Sequence, residues 1–171
     1  MDTNITISNS SSGVLSDNWK LLICIAICQG VGLTSGFLTN TRNNLWYDTI
    51  VKPSWNPPGY LFGPVWTVLY LLMAISLWMI WKSKAPEKKK FQAEIIFAAQ
   101  LFLNFWWTII FFQFQAPEWA FAEILLMIIL ISVTIFKFAE ISKTAAWLLV
   151  PYISWVCFAA ILNYNLWTLN K

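Results

Sequence analysis

Three sets of side chains have the types and spacing of a site for a flat, mostly apolar ligand. Residues three and four apart are neighbours on a helix surface, so each set falls on one helix face. The sets are Phe62, Trp66 and Tyr70; Gln100, Asn104 and Thr108; and Tyr152, Trp155 and Ala159. Aromatic walls, a small residue for clearance and a few hydrogen-bonding groups are typical of a pocket for a flat ligand with polar edges.

The same stripes also fit ordinary helix packing. Four tryptophans lie deep in the apolar runs, and each could either pack in the core or line a pocket: Trp66, Trp106, Trp107 and Trp155. Trp107 lies beside the Gln100, Asn104 and Thr108 face, so we include it among the candidate ligand-binding residues.

The residue types that are missing exclude several chemistries. The chain has no histidine, which removes the commonest metal ligand and general base, and with them Ser-His and Cys-His catalysis. Cys24 and Cys28 lie four apart without a third ligand, so we interpret them as small core residues. We predict no metal site, no resident cofactor and no conventional enzyme. Trp66 and Trp155 are the only candidate catalytic groups, through indole redox chemistry.

The elements that must hold these side chains are membrane helices. Of the 171 residues, 58% are hydrophobic and 11% charged, and the mean hydropathy is +0.61. Soluble domains carry about 25% charged residues. We predict an all-α, polytopic five-helix bundle at residues 19–171, with helices at about 20–39, 60–81, 94–115, 118–138 and 145–169. Residues 1–18 are predicted to be a disordered polar tail.

Charge placement predicts the orientation and the partner class. The net charge of +3 comes from lysines at the ends of the apolar runs, which indicates a lipid bilayer as partner and excludes nucleic acid. Most lysines lie on the N-terminal side, so the positive-inside rule places the first loop outside. We expect a bacterial cell membrane, or an organelle membrane if the source is eukaryotic.

Residues 46–70 join a stiff aromatic loop to the second helix. Pro53, Pro57 and Pro58 hold the loop extended, which favours a shaped lid over a cavity. Arg42 and Lys52 are candidate mouth residues for ligand carboxylates. We call residues 46–59, the part of this stretch before the second helix, the lid segment.

Four further residues carry local predictions. The spacing of Gly32 and Gly36 allows close helix packing within the bundle or in a dimer. Pro151 should bend the fifth helix. Glu123 is near the end of the fourth helix, so an interfacial position is favoured over a functional acid.

Several long motifs follow one another along the chain. They are Trp46-Tyr47, Lys52-Pro53-Ser54-Trp55-Asn56-Pro57-Pro58, Pro64-Val65-Trp66-Thr67-Val68-Leu69-Tyr70, Gln100-Leu101-Phe102-Leu103-Asn104-Phe105-Trp106, Trp147-Leu148-Leu149-Val150-Pro151-Tyr152 and Trp155-Val156-Cys157-Phe158-Ala159-Ala160-Ile161-Leu162-Asn163. In type and order they resemble the translocator protein family, also called TspO/MBR, tryptophan-rich sensory protein or peripheral-type benzodiazepine receptor. The resemblance covers the chain from the first helix to the end.

The resemblance implies a tetrapyrrole-binding membrane protein that senses, sequesters or transports porphyrins such as protoporphyrin IX. It also implies a homodimer as one assembly. The family's pocket residues match Tyr47, Trp66, Tyr70, Asn104, Trp155 and Ala159. All of these except Tyr47 belong to the helix faces described above. An alternative is light- and oxygen-dependent porphyrin degradation that uses Trp66 and Trp155, and a third is a structural partner of another membrane protein.

The sterol motif of animal members is incomplete here. Leu162 and Tyr164 are present, but the next basic residue is Lys171, which is too far along the helix. The sequence therefore does not predict high-affinity cholesterol binding.

Overall fold

The structure, a computed structural model, describes the backbone of residues 11–171 and the side chains of residues 18–171 except that of Arg42. The part of the predicted tail before Ser11 lies outside the described residues. Helix α1 begins at Ser11, ahead of the predicted start near residue 20.

Every regular element in the described chain is helical. The order is α1 (Ser11–Leu38), a 3-10 turn (Thr41–Asn43), α2 (Leu45–Thr49), α3 (Gly59–Trp81), α4 (Glu87–Thr108), a π-helical turn (Ile109–Gln113), α5 (Pro117–Ala139), α6 (Lys143–Leu148) and α7 (Val150–Leu169). Five stretches are long and apolar enough to cross a membrane: 18–38, 59–81, 87–113, 117–139 and 143–169. The predicted fold class and number of spans are confirmed.

Local sequence explains where several helices begin. Pro117 occupies the first turn of α5, where its missing N–H costs nothing. The Ser142 hydroxyl accepts a hydrogen bond from the Ala145 amide at 3.3 Å and caps α6. The Asn44 side chain accepts from the Tyr47 amide at 3.0 Å and caps α2 in the same way. Short polar caps therefore fix the start of both short helices.

The fifth span is interrupted near Pro151, as predicted. Helix α6 ends at Leu148 and α7 begins at Val150, with Leu149 between them. Proline cannot donate the hydrogen bond that would continue α6 through this point. The break divides the span into a short helix beside α3 and α5, and a long one that packs on α5.

The long helices surround one apolar core, in which α1 packs on α3, α4 on α5, and α5 on α7. Gly32 of α1 lies directly against the Tyr70 ring, where a Cβ atom would overlap the ring. The close packing predicted for the glycine pair thus occurs within one chain at Gly32, whereas Gly36 meets only the Thr41 side chain of the adjoining turn among the described residues. The packing at Gly32 also fixes the position of Tyr70.

The lid segment lies over one end of the bundle, which we call the lid side. The Asn44 side chain donates to the Phe112 carbonyl at 3.3 Å and ties α2 to the end of the third span. The Asn170 side chain accepts from the Val51 amide at 2.8 Å and donates to the Val51 carbonyl at 2.9 Å. The lid segment is therefore attached to both the third and the fifth spans.

Candidate functional site

A buried hydrogen-bond network joins three helices in the middle of the bundle. The Tyr70 hydroxyl donates to Oδ1 of Asn104, and Nδ2 of Asn104 donates to the Tyr152 hydroxyl at 3.1 Å. Tyr152 in turn donates to Oε1 of Gln100 at 2.8 Å. The sulfur of Met127 lies 3.6 Å from the Tyr152 hydroxyl. The aromatic faces predicted on the second and fifth spans therefore meet the polar face of the third span at Asn104.

Trp66 lies on top of this network. Its ring centroid is 5.5 Å from that of Tyr70 and 6.4 Å from that of Tyr152. The two hydroxyls point to Asn104 while the two rings contact the indole. This arrangement gives one apolar aromatic wall backed by hydrogen-bonding groups.

A second aromatic group closes the lid side. Trp107 stacks on Phe111 with centroids 5.2 Å apart, and Tyr47 contacts Phe111 and Phe112 at 6.2 and 5.6 Å. The Trp107 indole donates to Oδ1 of Asn163 at 3.2 Å. Trp107 thus joins the third span to the fifth, beneath the lid segment.

Trp155 lies on the side of the fifth span that faces α3. Its ring contacts Phe62 at 6.0 Å and Phe158 at 5.3 Å, and Phe158 contacts Trp55 of the lid segment at 5.9 Å. The Trp155 Nε1 atom is buried and has no hydrogen-bond partner among the described residues. Ala159, one turn further along α7, packs against the core. Trp155 therefore presents an unused donor in an otherwise aromatic region.

Lys52, a predicted mouth residue, lies beside Tyr47 in the lid segment. The ammonium of Lys52 lies 4.7 Å from the Tyr47 ring centroid and 3.3 Å from the carbonyl oxygens of Asp48 and Ile50. The Tyr47 hydroxyl and the Asn56 side-chain oxygen are 3.1 Å apart. Burial raises the pKa of Tyr47, with a smaller opposing effect from Asn56. The predicted partner of Lys52 at the mouth, Arg42, has no described side chain.

Two cavities lie outside this aromatic region. One, of about 260 Å³, lies between α1, α3 and α4 and is lined by Cys24, Leu77, Glu94 and Phe97 among others. The other, of about 460 Å³, lies between α2 and the ends of α5 and α7. Neither coincides with the predicted site, whose aromatic residues contact one another directly.

Glu123 is the residue that sequence reasoning placed wrongly. Both of its carboxyl oxygens are buried and lack hydrogen-bond partners within the described chain, so the favoured interfacial position is incorrect. The sequence spacing indicates the buried position of Glu123. Ala120, Glu123 and Met127 are spaced i, i+3 and i+7 and therefore share the buried face of α5. The side chain lies between the apolar cluster around Ala120 and the one around Met127.

The fold and the site together define a class: a multi-pass α-helical membrane protein with a tryptophan- and tyrosine-lined interior and a lid on one side. Residues 24–168 match the TspO/MBR family. The chain belongs to this family and is an integral membrane protein of the TspO type.

Curated relatives cover most of the chain. It is 40% identical to "Tryptophan-rich protein TspO" of Chlorobaculum tepidum over 88% of this chain and 95% of the relative. It is 33% identical to "Tryptophan-rich sensory protein" of Cereibacter sphaeroides over 90% and 93%. The sheep "Translocator protein" shares 36% identity over 74% and 75%. Similarity therefore extends to bacterial and animal members.

Proposed function

We propose that this protein binds porphyrins within the membrane and serves in their sensing, sequestration or transport. The observation that carries the proposal is the Trp66 ring against Tyr70 and Tyr152, with both hydroxyls directed to Asn104. A porphyrin is a wide aromatic plate with a polar core and charged edges. An aromatic wall supported by hydrogen-bonding groups is complementary to such a plate.

The mouth supports the same ligand class. Lys52 is held beside Tyr47 by two backbone carbonyls, so its ammonium is kept at the water-exposed edge of the lid segment. A porphyrin carries propionate groups on one edge. We infer that these carboxylates lie toward Lys52 while the ring lies deeper, and that no enzyme-like acid–base group is needed for binding.

The first experiment is a titration of the purified protein with protoporphyrin IX in detergent, followed by ligand absorbance. Replacing Trp66 and Trp155 with leucine removes two aromatic contacts, each of which contributes about 0.5–1.5 kcal/mol. We therefore expect a loss of affinity of about tenfold or more. Trp106→Leu is the matched control, because Trp106 is on the third span beside Trp107 but is 37% exposed toward the membrane. An equal loss in the control and the double variant would contradict the proposed site.

The alternative function is light- and oxygen-dependent degradation of the bound porphyrin. It is favoured by the contact of Trp66 with two tyrosines and by the unpartnered Trp155 indole, since these rings would lie against an excited pigment. The pair Trp66→Phe and Trp155→Phe separates the two functions, because phenylalanine keeps a ring but is far harder to oxidise. Under light and oxygen, bleaching that stops in this variant while binding persists supports degradation. Bleaching at the same rate with and without wild-type protein supports binding alone.

We place the protein in a bacterial cell membrane, with the lid segment on the outer side. Support comes from the lysines, which lie mainly on the opposite side of the spans at positions such as Lys82, Lys88 and Lys143. Labelling of single cysteines in intact cells tests this. A cysteine introduced at Ser54 should react with an impermeant reagent, and one introduced at Ser83 should not.

A further inference from the structure

Glu123 lies in the same layer of the bundle as Trp66. The hydrogen-bond network marks one level, with Tyr70 on α3, Met127 on α5 and Tyr152 on α7 joined around Asn104. Trp66 is four residues from Tyr70, and Glu123 is four residues from Met127, in each case toward the lid side. Four residues of helix rise about 6 Å. Both side chains therefore begin one turn above the network.

Trp66 and Glu123 also stand on opposite walls. Helices α4 and α7 each pack against both α3, which carries Trp66, and α5, which carries Glu123. The interior between these four helices is the region that the proposed porphyrin site occupies. A plate stacked on Trp66 by one face would turn its other face toward α5.

The Glu123 carboxyl group is unsatisfied in this layer. Both oxygens are sealed from solvent, and neither has a hydrogen-bond partner among the residues that the structure describes. Gln100, which is 1% exposed, accepts from Tyr152 in the network below this layer, and its Nε2 donor has no partner among the described residues. Buried charges in proteins are paired or coordinate metals, and ionisable groups within spans mark functional sites.

We propose that Glu123 is an axial ligand for the metal of a metallated porphyrin bound between α3 and α5. This inference rests on the proposed porphyrin-binding function and adds a metal-binding residue to it. A carboxylate oxygen suits zinc and magnesium ions, and a metal ion would give the Glu123 carboxyl group the partner that it lacks among the described residues. The chain has no histidine, so a carboxylate takes the role that an imidazole often fills in other proteins.

The test compares three forms of the same ring: metal-free protoporphyrin IX, its zinc(II) complex and its nickel(II) complex. Zinc in a porphyrin accepts a further axial ligand, whereas square-planar nickel(II) binds one poorly. We expect the wild type to bind the zinc complex roughly 10- to 100-fold more tightly than the nickel complex, the range for a contact with a charged group. Axial coordination should also shift the main absorption band of the bound zinc complex.

Glu123→Gln and Glu123→Leu should remove the preference for zinc and the band shift, while binding of the nickel complex stays unchanged. Glu94→Gln is the matched control, because Glu94 is a partly buried acid of the third span that lines the cavity between α1, α3 and α4. That variant should keep the zinc preference.

The other outcomes separate the inference from the proposed function. A zinc preference that survives in both Glu123 variants refutes the axial ligand. An equal loss for all three rings also refutes it and makes Glu123 a structural residue. If the wild type binds none of the rings, the porphyrin-binding function itself is wrong.

Discussion

Replacing Asn104 should destabilise the bundle chiefly because the buried Tyr70 hydroxyl is left without a hydrogen-bond partner. In Asn104→Leu, the Tyr70 hydroxyl loses its acceptor, whereas Tyr152 still donates to Gln100. A buried hydroxyl without a partner costs about 1–3 kcal/mol. Asn104 and Tyr70 are 3% and 5% exposed, so water does not replace the lost bond. We expect the free energy of unfolding to fall by about 1–3 kcal/mol.

A double-mutant cycle shows whether the orphaned hydroxyl is the cause. Tyr70→Phe removes that hydroxyl, so the double variant should lose less stability than the two single variants together. The difference should be about 0.6–1.7 kcal/mol, the range measured for hydrogen bonds between membrane helices. Unfolding in mixed detergent micelles, followed by tryptophan fluorescence, measures each free energy.

The control for this cycle is Asn165→Leu. Asn165 is on α7, and among the described residues its side chain donates only to the Ile161 carbonyl of the same helix, at 2.8 Å. Its replacement should change stability by less than about 0.5 kcal/mol. Strict additivity of Asn104→Leu and Tyr70→Phe would refute the reasoning, because the two side chains would then not share one interaction.

Three further outcomes are expected. Gly32→Ala places a methyl group against the Tyr70 ring and should lower the free energy of unfolding by about 1–3 kcal/mol, measured in the same micelles. Asn170→Ala removes both bonds to Val51, so protease cleavage within the lid segment should accelerate in the ligand-free protein. Burial raises the pKa of Tyr47, so above about pH 10 the unfolded phenol loses its proton first. Stability should then fall as pH rises, and Tyr47→Phe should reduce that fall in unfolding measured from pH 9 to 12.

Much of the fold could be predicted from the sequence because lipid imposes a simple rule. A span needs a long apolar run, and the runs here are separated by short polar or proline-containing segments such as the one around Pro117. The interruption near Pro151 follows from the missing N–H of proline. The short helix α2 in the lid segment was not predicted, because its cap depends on one side chain, Asn44, within a loop.

The site was predictable in part, for a different reason. Helical spacing groups Gln100 with Asn104, and Trp66 with Tyr70, but it does not say which faces of separate helices meet. Asn104 accepts a hydrogen bond from Tyr70 and donates one to Tyr152. Both bonds depend on how three helices are rotated relative to one another. Such rotation is set by packing, which a linear pattern does not contain.

The prediction for Glu123 was wrong because hydropathy shows how far a residue lies from the end of a span. It does not show which side of the helix the residue occupies. An acid one or two turns from a helix end can extend to the interface or point inward. The buried neighbours Ala120 and Met127 at i−3 and i+4 decide this case in favour of the interior.

The attachment of the lid segment to Asn170 has a consequence for biosynthesis. Val51 and Asn170 are 119 residues apart in the chain, yet they exchange two hydrogen bonds. The lid segment is synthesised early, and its anchor emerges from the ribosome only after four more spans. Translation proceeds at about 5–20 residues per second, so the interior stays uncovered for roughly 6–24 seconds. If the protein binds porphyrins as proposed, a pigment in the membrane would have its widest access to the interior during this interval, before Asn170 anchors the lid segment.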